Sequence, residues 1–173
     1  MSALQSAKPT IREARESDIP QILGLLDEFV KLQVILPRDP EEMRRNYPNF
    51  VVAFDEAGRL VGTGALRPHG EGLFEVRSLA VSLPCQGSGL GSQLVEALLE
   101  RARAMTSPVR CVFTLTKRPR FFQQLGFQIA PKGDFPEKIW ADCLACPKFN
   151  CCDEVALRID GSDLAVRNRV AGV

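Results

Sequence analysis

The sequence predicts a mixed α/β fold. Segments with a two-residue apolar repeat or a strand-length apolar run alternate with segments of helical repeat, in the order β-α-α-β-β-β-α-β-α-β. Three consecutive strands precede a glycine-rich turn, which excludes a simple doubly wound sheet. With 173 residues, 45% of them apolar, the chain can bury one core. We therefore expect a single domain over residues 1–173, with a core of about 10–160 and a polar C-terminal tail at 161–173.

The first elements are a strand and two helices. Residues 10–14 alternate as a strand. A helix follows, with Ser17 or Asp18 as its cap and Pro20 in its first turn. Its apolar residues recur at helical spacing and are Ile19, Ile22, Leu23, Leu26, Phe29 and Val30. After a proline-containing loop, a second short helix is expected to begin near Glu41.

The central elements are three strands and a long helix. Residues 50–54 and 60–66 form two strands joined by a hairpin-like turn in which Gly58 is the flexible position. The third strand covers 71–81. The helix at 89–104 follows the glycine-rich turn directly, and its apolar residues share one face.

The last elements are shorter. Residues 110–116 form a strand, and a short helix at 119–125 ends at Gly126, a typical residue just past a helix end. Residues 127–130 follow the helix, and a last strand at 154–159 completes the prediction.

Charge and hydropathy exclude several classes of partner. Lys and Arg total 22 against 21 Asp and Glu, so no overall field favours nucleic acid or an acidic membrane. No apolar run approaches the roughly 20 residues of a membrane span, and the first ten residues lack the apolar centre of a signal peptide. We therefore expect a cytoplasmic protein without nucleic-acid or membrane partners.

The segment VRSLAVSLPCQGSGLG carries the clearest functional signal. An apolar strand runs into a turn containing Gly87, Gly89 and Gly91, and a helix begins there. Glycines let the backbone approach a ligand, and the first N–H groups of a helix have no partner within it, so a pyrophosphate would fit. The segment lacks the Lys-Ser/Thr pair of nucleotide triphosphatases and the full dinucleotide fingerprint. By itself it also suits a tight turn without a ligand.

The run QGSGLG resembles the Q/R-x-x-G-x-G/A signature of the GNAT superfamily of acyl-CoA N-acyltransferases. LAV upstream and FQQLGF downstream match the same family in order and spacing. The resemblance implies a mostly antiparallel sheet with flanking helices, and acetyl-CoA as co-substrate. The residues that it assigns to the cofactor are Leu79, Ala80, Val81, Gln86, Gly87, Ser88, Gly89, Leu90, Gly91 and Phe122.

Within that superfamily the chain is similar to short N-acetylglutamate synthases. The similar segments are ILPRDPEEM, EVRSLAV, VFTLT with RFFQQLGF, and FPEKIWADCLACPKF. The resemblance implies transfer of acetyl to the α-amino group of glutamate or a related amino acid, by direct attack in a ternary complex. It places Leu36, Arg38, Ser78 and Lys148 around the acceptor, with Lys148 where that family usually has Arg. It also links the chain to arginine biosynthesis.

Glu75 and Ser78 are the predicted catalytic residues. Glu75 resembles the glutamate that many family members use as general base, directly or through water, and such a base contributes about 10²- to 10⁴-fold. A solvated glutamate or an ion-pair partner of Arg77 is the alternative. Strand alternation places Glu75, Arg77, Leu79 and Val81 on one face and Val76, Ser78 and Ala80 on the other.

Two further residues bear on the chemistry of transfer. Arg38 can bind a substrate carboxylate with two parallel hydrogen bonds, and an exposed loop arginine is the alternative. The tyrosine that commonly protonates the thiolate in this family is replaced by Phe122. The sequence therefore leaves water or another group as the proton donor.

Other residue types leave alternatives open. Cys143, Cys146, Cys151 and Cys152 suit packing thiols better than a zinc site, so no metal is predicted. The single histidine, His69, is expected in a solvated loop. Acetylation of another small amine or an amino-acid-like toxin, a non-catalytic acyl-CoA sensor and a zinc-stabilised interaction domain are the rival functions. A homodimer is compatible with the sequence.

Overall fold

A computed structural model describes residues 8–170, with side chains for residues 8–166. The strands are β1 (Thr10–Glu13), β2 (Phe50–Phe54), β3 (Leu60–Pro68), β4 (Leu73–Val81), β5 (Cys111–Thr116), β6 (Gln128–Ala130) and β7 (Val155–Asp160). The helices are α1 (Ile19–Lys31), α2 (Pro40–Asn46), α3 (Leu90–Arg103), α4 (Pro119–Gln124), α5 (Pro136–Lys138) and α6 (Gly161–Val170).

The strands are hydrogen-bonded in the order β1-β2-β3-β4-β5-β7-β6. Strands β1 and β2, β2 and β3, β5 and β7, and β6 and β7 pair antiparallel, whereas β4 and β5 pair parallel. This confirms the predicted mixed, mostly antiparallel sheet with flanking helices.

The described chain divides into two compact units. The first contains residues 8–66 and 78–98, and the second contains residues 67–77 and 99–170. The chain passes from one unit to the other at three points, after Leu66 in β3, after Arg77 in β4 and after Leu98 in α3. The single domain over residues 1–173 stays a prediction, and its two ends, 1–7 and 171–173, lie outside the described residues.

Helices α1 and α2 supply much of the apolar core of the first unit. Its buried side chains are Ala14, Ile19, Ile22, Leu25, Leu26, Met43, Phe50, Val52, Ala65 and Ala80. Leu23 and Phe29 pack at the margin, so most of the predicted apolar face of α1 reaches this core. Full burial of one such side chain stabilises the fold by about 1.5–3 kcal/mol.

Helix α3 lies close to β3 because a glycine faces it. A Cβ on Gly62 would lie 2.9 Å from Cδ1 of Leu94 and 3.3 Å from Cδ2 of Leu90. The first distance is shorter than real Cβ contacts, so a larger residue at position 62 would force the leucine side chains of α3 to shift. The absence of a side chain at Gly62 thus leaves room for Leu90 and Leu94, which are buried.

A partly buried ion pair connects β1 to the turn before α1. Asp18 accepts two hydrogen bonds from the Arg12 guanidinium, at 2.7 and 2.9 Å, and one from the Arg15 backbone N–H at 2.7 Å. These hydrogen bonds hold the pKa of Asp18 below its ordinary value, and those from Arg12 have the largest effect. The carboxylate does not accept a hydrogen bond from the first turn of α1, so Asp18 stabilises the loop rather than capping the helix through its side chain.

We expect Asp18→Asn to lower the free energy of unfolding by about 1.5–3 kcal/mol at neutral pH, since hydrogen bonds to a charged group are lost. Because the folded-state pKa is lowered, the stabilisation is present above the unfolded pKa of about 4 and is lost as pH falls below it. Urea unfolding at pH 7 and pH 3 measures this. The exposed Asp27→Asn serves as control, and an equal loss at both pH values would contradict the account.

The core of the second unit surrounds Phe113 on β5. Its buried side chains are Leu73, Cys111, Phe113, Ala130, Phe135 and Ala156. The rings of Phe113 and Phe135 stack with centroids 4.2 Å apart. Burial raises the pKa of the Cys111 thiol to about 11, so this cysteine is a packing residue and not a reactive one.

Two parts of the second unit were not predicted from the sequence. Helix α5 continues into a π-helical turn at Ile139–Cys143, and α6 occupies most of the predicted polar tail. Helix α5 and its π-helical turn are short and lie between Pro136 and Pro147. Helix α6 shows no clear apolar face. Periodicity, which carried the other predictions, is therefore too weak to detect either element.

Candidate active site

The glycine-rich turn of the first unit has an open backbone. Gly87 and Gly89 adopt φ of +77° and +85°, a region that favours glycine, and a Cβ at either position would meet no atom within 4 Å. Gln86, Gly87, Ser88 and Gly89 are exposed. The space beside this backbone is thus available to a ligand.

Side chains of the same turn bond to its own backbone. Ser88 Oγ donates to the Cys85 carbonyl at 2.6 Å, and Gln86 Nε2 donates to the Val81 carbonyl at 3.1 Å. The backbone bond from Gln93 N–H to the Gly89 carbonyl begins the helical pattern of α3. The N–H groups in the first turn of a helix have no partner within that helix, so this end of a helix can bind an anion.

Ser78 interrupts the regular pleat of β4. Its φ is +52°, in the left-handed region that a serine rarely adopts. The expected alternation of faces through Glu75, Arg77, Leu79 and Val81 is therefore wrong at Ser78, because a left-handed residue breaks the two-residue repeat. Such strain is often found at functional positions.

Arg38 reaches the same residue. Its Nη2 donates to Ser78 Oγ at 3.0 Å, although the two residues lie 40 positions apart in the sequence. Arg38 is partly buried, so the alternative of an exposed loop arginine is wrong. Leu36, on the same loop, is 46% exposed, which leaves its side chain available for a ligand. The structure thus brings together Arg38 and Ser78, two of the four predicted acceptor residues.

Lys148, the fourth predicted acceptor residue, belongs to the second unit. It is exposed and immediately precedes the turn Phe149–Cys151. Its role in binding an acceptor stays a prediction.

Glu75, in the second unit, is buried and fully engaged. Its side chain is 4% exposed, with Oε1 2.9 Å from Lys138 Nζ and Oε2 2.9 Å from His69 Nε2. Arg77 Nη1 lies 3.9 Å from Oε2. Burial alone would raise the pKa of Glu75, but the His69 hydrogen bond and the charges of Lys138 and Arg77 outweigh it and keep the pKa below its ordinary value. Glu75 is thus an ionised carboxylate, and a solvated strand glutamate is excluded.

The expectation of a solvated His69 is wrong. Its side chain is 3% exposed, and its ring centroid lies 5.6 Å from that of Phe113. The backbone N–H of His69 donates to the Leu73 carbonyl at 2.9 Å, which closes a hairpin turn. His69 thus lies opposite Leu73 in the hairpin, and Glu75, two residues further along, is its diagonal neighbour. This spacing was the signal in the sequence that could have paired His69 with Glu75.

Lys138 and Asp142 were not found by sequence reasoning. Asp142 Oδ2 lies 2.8 Å from Lys138 Nζ, 2.9 Å from Arg67 Nη1 and 3.1 Å from Arg77 Nη1. Burial alone would raise the pKa of Asp142. The hydrogen bond from Lys138 and the positive charges of Lys138, Arg77 and Arg67 outweigh burial and hold the pKa well below its ordinary range. The signal was the spacing of four between Lys138 and Asp142, which brings two residues together on one helical turn.

A metal ion is not needed to explain this cluster. Within the described residues, His69, Glu75 and Asp142 offer ligand atoms within 4.8 Å of one another. The ammonium of Lys138 bridges the two carboxylates, at 2.9 and 2.8 Å, and so supplies the positive charge that a metal would bring.

Phe122 packs within the second unit, whereas two of the late cysteines, Cys151 and Cys152, are exposed. Phe122 is 4% exposed and meets Phe127 edge to face, with ring centroids 5.3 Å apart. All six cysteines are free thiols. Cys143, Cys146 and Cys152 line a cavity of about 270 Å³, and burial raises the pKa of Cys143.

Comparison with known proteins decides the family. The model of the GNAT acetyltransferase domain matches residues 46–129. An uncharacterised N-acetyltransferase of Chlorobaculum tepidum is 35% identical over 156 residues, which is 89% of this chain and 97% of that protein. The chain belongs to the GNAT family of N-acetyltransferases.

Two further relatives of this GNAT enzyme have more specific names. An amino-acid acetyltransferase of Mycobacterium tuberculosis is 34% identical over 71% of this chain and 70% of its own. N-acetylglutamate synthase of Neisseria gonorrhoeae, solved with coenzyme A and N-acetyl-glutamate, superposes with a TM-score of 0.77 at 26% identity over 90% of this chain. This GNAT enzyme spans 36% of that longer chain.

Acetyl-CoA is the co-substrate of this GNAT enzyme, as it is for the family. No helix among the described residues is long and apolar enough to cross a bilayer. The cytoplasmic location and the homodimer stay predictions.

Proposed function

We propose that the enzyme transfers acetyl from acetyl-CoA to the α-amino group of glutamate or a closely related amino acid, by direct attack in a ternary complex. The hydrogen bond between Arg38 and Ser78 is the observation that carries this proposal, because it joins two residues that the resemblance assigned separately to the acceptor. The names of the M. tuberculosis and N. gonorrhoeae relatives support the same substrate class. The reaction would belong to arginine biosynthesis.

The turn after β4 would hold the donor. Backbone N–H groups at Gln86, Gly87, Ser88, Gly89, Leu90 and Gly91 would bind the pyrophosphate, whose charge suits the N-terminus of α3. The main chain of Leu79, Ala80 and Val81 would bond to the pantetheine arm as an added strand. The contact of Phe122 with the cofactor, which the resemblance implies, stays a prediction.

Arg38 would bind a carboxylate of the acceptor through two parallel N–H donors. Ser78 Oγ accepts from Arg38, so its own hydroxyl hydrogen stays available to donate to the substrate. Leu36 would contact the apolar part of the acceptor, and Lys148 would supply a second positive charge.

Glu75 would provide the negative charge that removes the ammonium proton, since only the neutral amine attacks the thioester carbon. Phe122 has no hydroxyl group, so we propose that water protonates the thiolate that departs. Ser78, three residues after Glu75 on β4, would align the amine, because orientation of the attacking group lowers the barrier.

We expect Arg38→Lys to raise KM for glutamate about 10- to 100-fold with a smaller change in kcat, because a lysine cannot form the paired bonds to a carboxylate. Steady-state rates with glutamate and with an amine that lacks carboxylates measure this. The exposed Arg44→Lys is the matched control. An equal loss with both amines would place Arg38 in the fold or the chemistry, and an unchanged KM would contradict glutamate binding by Arg38.

A further inference from the structure

Three cysteines of the second unit border one cavity. Cys143, Cys146 and Cys152 line a space of about 270 Å³, and its other walls are mostly apolar and include Phe135 and Phe149. Cys143 and Cys146 are partly exposed, Cys152 is exposed, and all three are free thiols. Small reagents in solution can therefore reach thiols at this cavity.

The backbone holds Cys143 and Cys146 close to the distance that a disulfide needs. The N–H of Cys146 donates to the carbonyl of Cys143 at 3.0 Å, which closes a four-residue turn. The first and last Cα atoms of such a turn lie within about 7 Å of each other, and a disulfide joins Cα atoms that are about 4.4–6.8 Å apart. A bond between these two sulfur atoms thus needs rotation of the side chains but little change in the backbone.

The next cysteine along the chain that borders the cavity is held differently. Cys152 follows the turn Phe149–Cys151, and its carbonyl accepts a hydrogen bond from Lys132 Nζ at 3.3 Å. Among the described residues, Cys143 and Cys146 are the two cysteines that a backbone hydrogen bond joins directly. The fold therefore favours this pair for a bridge.

We propose that Cys143 and Cys146 are a reversible dithiol–disulfide pair, which a low-molecular-weight disulfide oxidises. In a compartment that keeps thiols reduced, a disulfide of this kind is transient and responds to oxidation. The proposal concerns the second unit alone and does not depend on the acceptor proposed above. Its test therefore needs no substrate, and its failure would leave the proposed function untouched.

Electrons and protons balance in two exchange steps. The Cys146 thiolate attacks one sulfur of the small disulfide, which leaves a mixed disulfide on Cys146 and releases one small thiolate. The Cys143 thiolate then attacks Cys146 Sγ, forms the bridge and releases the second small thiolate. Two electrons pass from the cysteine pair to the small disulfide, and the two cysteine protons end on the released thiolates. Burial raises the pKa of Cys143, so its thiolate is scarce and the first attack is assigned to Cys146.

The bridge would fix one wall of the cavity. Ile139, Cys143, Cys146 and Phe149 line the cavity from one segment of short turns. Leu144, within this segment, is 50% exposed. Segments with few buried contacts open locally, and a covalent bridge restricts the open state. We expect amide hydrogen exchange at Leu144 and Cys146 to slow about tenfold on oxidation, and equal rates in both states would contradict this effect on the wall.

Trypsin digestion separates the possible pairings. Cleavage after lysine and arginine places Cys143 and Cys146 together in peptide 139–148. The other two late cysteines fall in peptide 149–158. The full chain is incubated with excess glutathione disulfide, alkylated, digested and mapped by mass spectrometry. We expect peptide 139–148 to be two hydrogens lighter and to carry no alkyl group, and treatment with dithiothreitol before alkylation to restore both alkylation sites.

Two variants test the same assignment. Cys143→Ser should accumulate a mixed disulfide with glutathione on Cys146, because the second exchange step is blocked. Cys152→Ser is the matched control at the same cavity and should form the bridge as the wild type does. A cross-link between peptides 139–148 and 149–158 would overturn the proposal. So would full alkylation of Cys143 and Cys146 after glutathione disulfide, or zinc in the purified protein that protects both from alkylation and from oxidation.

Discussion

Gly89→Glu is expected to abolish measurable binding of coenzyme A while leaving the fold intact. The substitution puts a negative charge and side-chain volume where the pyrophosphate is proposed to lie, at the N-terminus of α3. A Cβ at this position would meet no atom within 4 Å, so the substitution displaces nothing within the described part of the protein. Its φ of +85° adds a strain of about 1–2 kcal/mol.

Calorimetry with coenzyme A measures this effect, and circular dichroism monitors the fold. Gly58→Glu is the matched control, because Gly58 has φ of +72° and equally open surroundings in the turn between β2 and β3. Gly58→Glu introduces the same backbone strain and the same change of charge, but at a position far in the sequence from the turn after β4. We expect its affinity for coenzyme A to equal that of the wild type. Normal binding by Gly89→Glu would contradict the placement of the phosphates.

Glu75→Gln is expected to lower kcat/KM about 10²- to 10⁴-fold and to leave affinity for coenzyme A unchanged. Glutamine keeps the shape of the side chain but removes the negative charge that faces His69, Lys138 and Arg77. Lys138 keeps Asp142 as a partner, so we expect a stability loss of about 1–3 kcal/mol rather than unfolding.

Glu137→Gln is the control for this charge change. Glu137 pairs with Arg110 at 3.4 Å, and the Arg110 side chain is 54% exposed, so the pair contributes at most about 1 kcal/mol. Steady-state rates and urea unfolding of both variants separate chemistry from stability. A Glu75→Gln enzyme with wild-type kcat/KM would contradict the function proposed for Glu75 in removing the ammonium proton.

Features set by local sequence were predicted well. The turn from Gly87 to Gly91 could be identified because glycine spacing between a strand and a helix is a short-range pattern. The strand at 50–54 matches β2 at Phe50–Phe54, since a continuous apolar run marks a buried strand. The family resemblance rested on the same kind of local motif.

Features that depend on tertiary contacts were missed. His69 looked solvated because its neighbours in sequence are glycines and a proline, yet a hairpin turn brings it against Glu75 and Phe113. Asp142 gave no signal for two of its basic partners, because Arg67 and Arg77 lie 75 and 65 positions away in the sequence. The left-handed backbone at Ser78 is likewise invisible to propensity, which assigns serine no such preference.

The release of free thiol from acetyl-CoA in the presence of each of the twenty amino acids tests the central claim most directly. We predict fast release with glutamate or a close relative, a single N-acetylated product in mass spectrometry, and no more than slow hydrolysis with most other amino acids. Thiol release that never exceeds hydrolysis with any amino acid, although coenzyme A binds, would contradict the account.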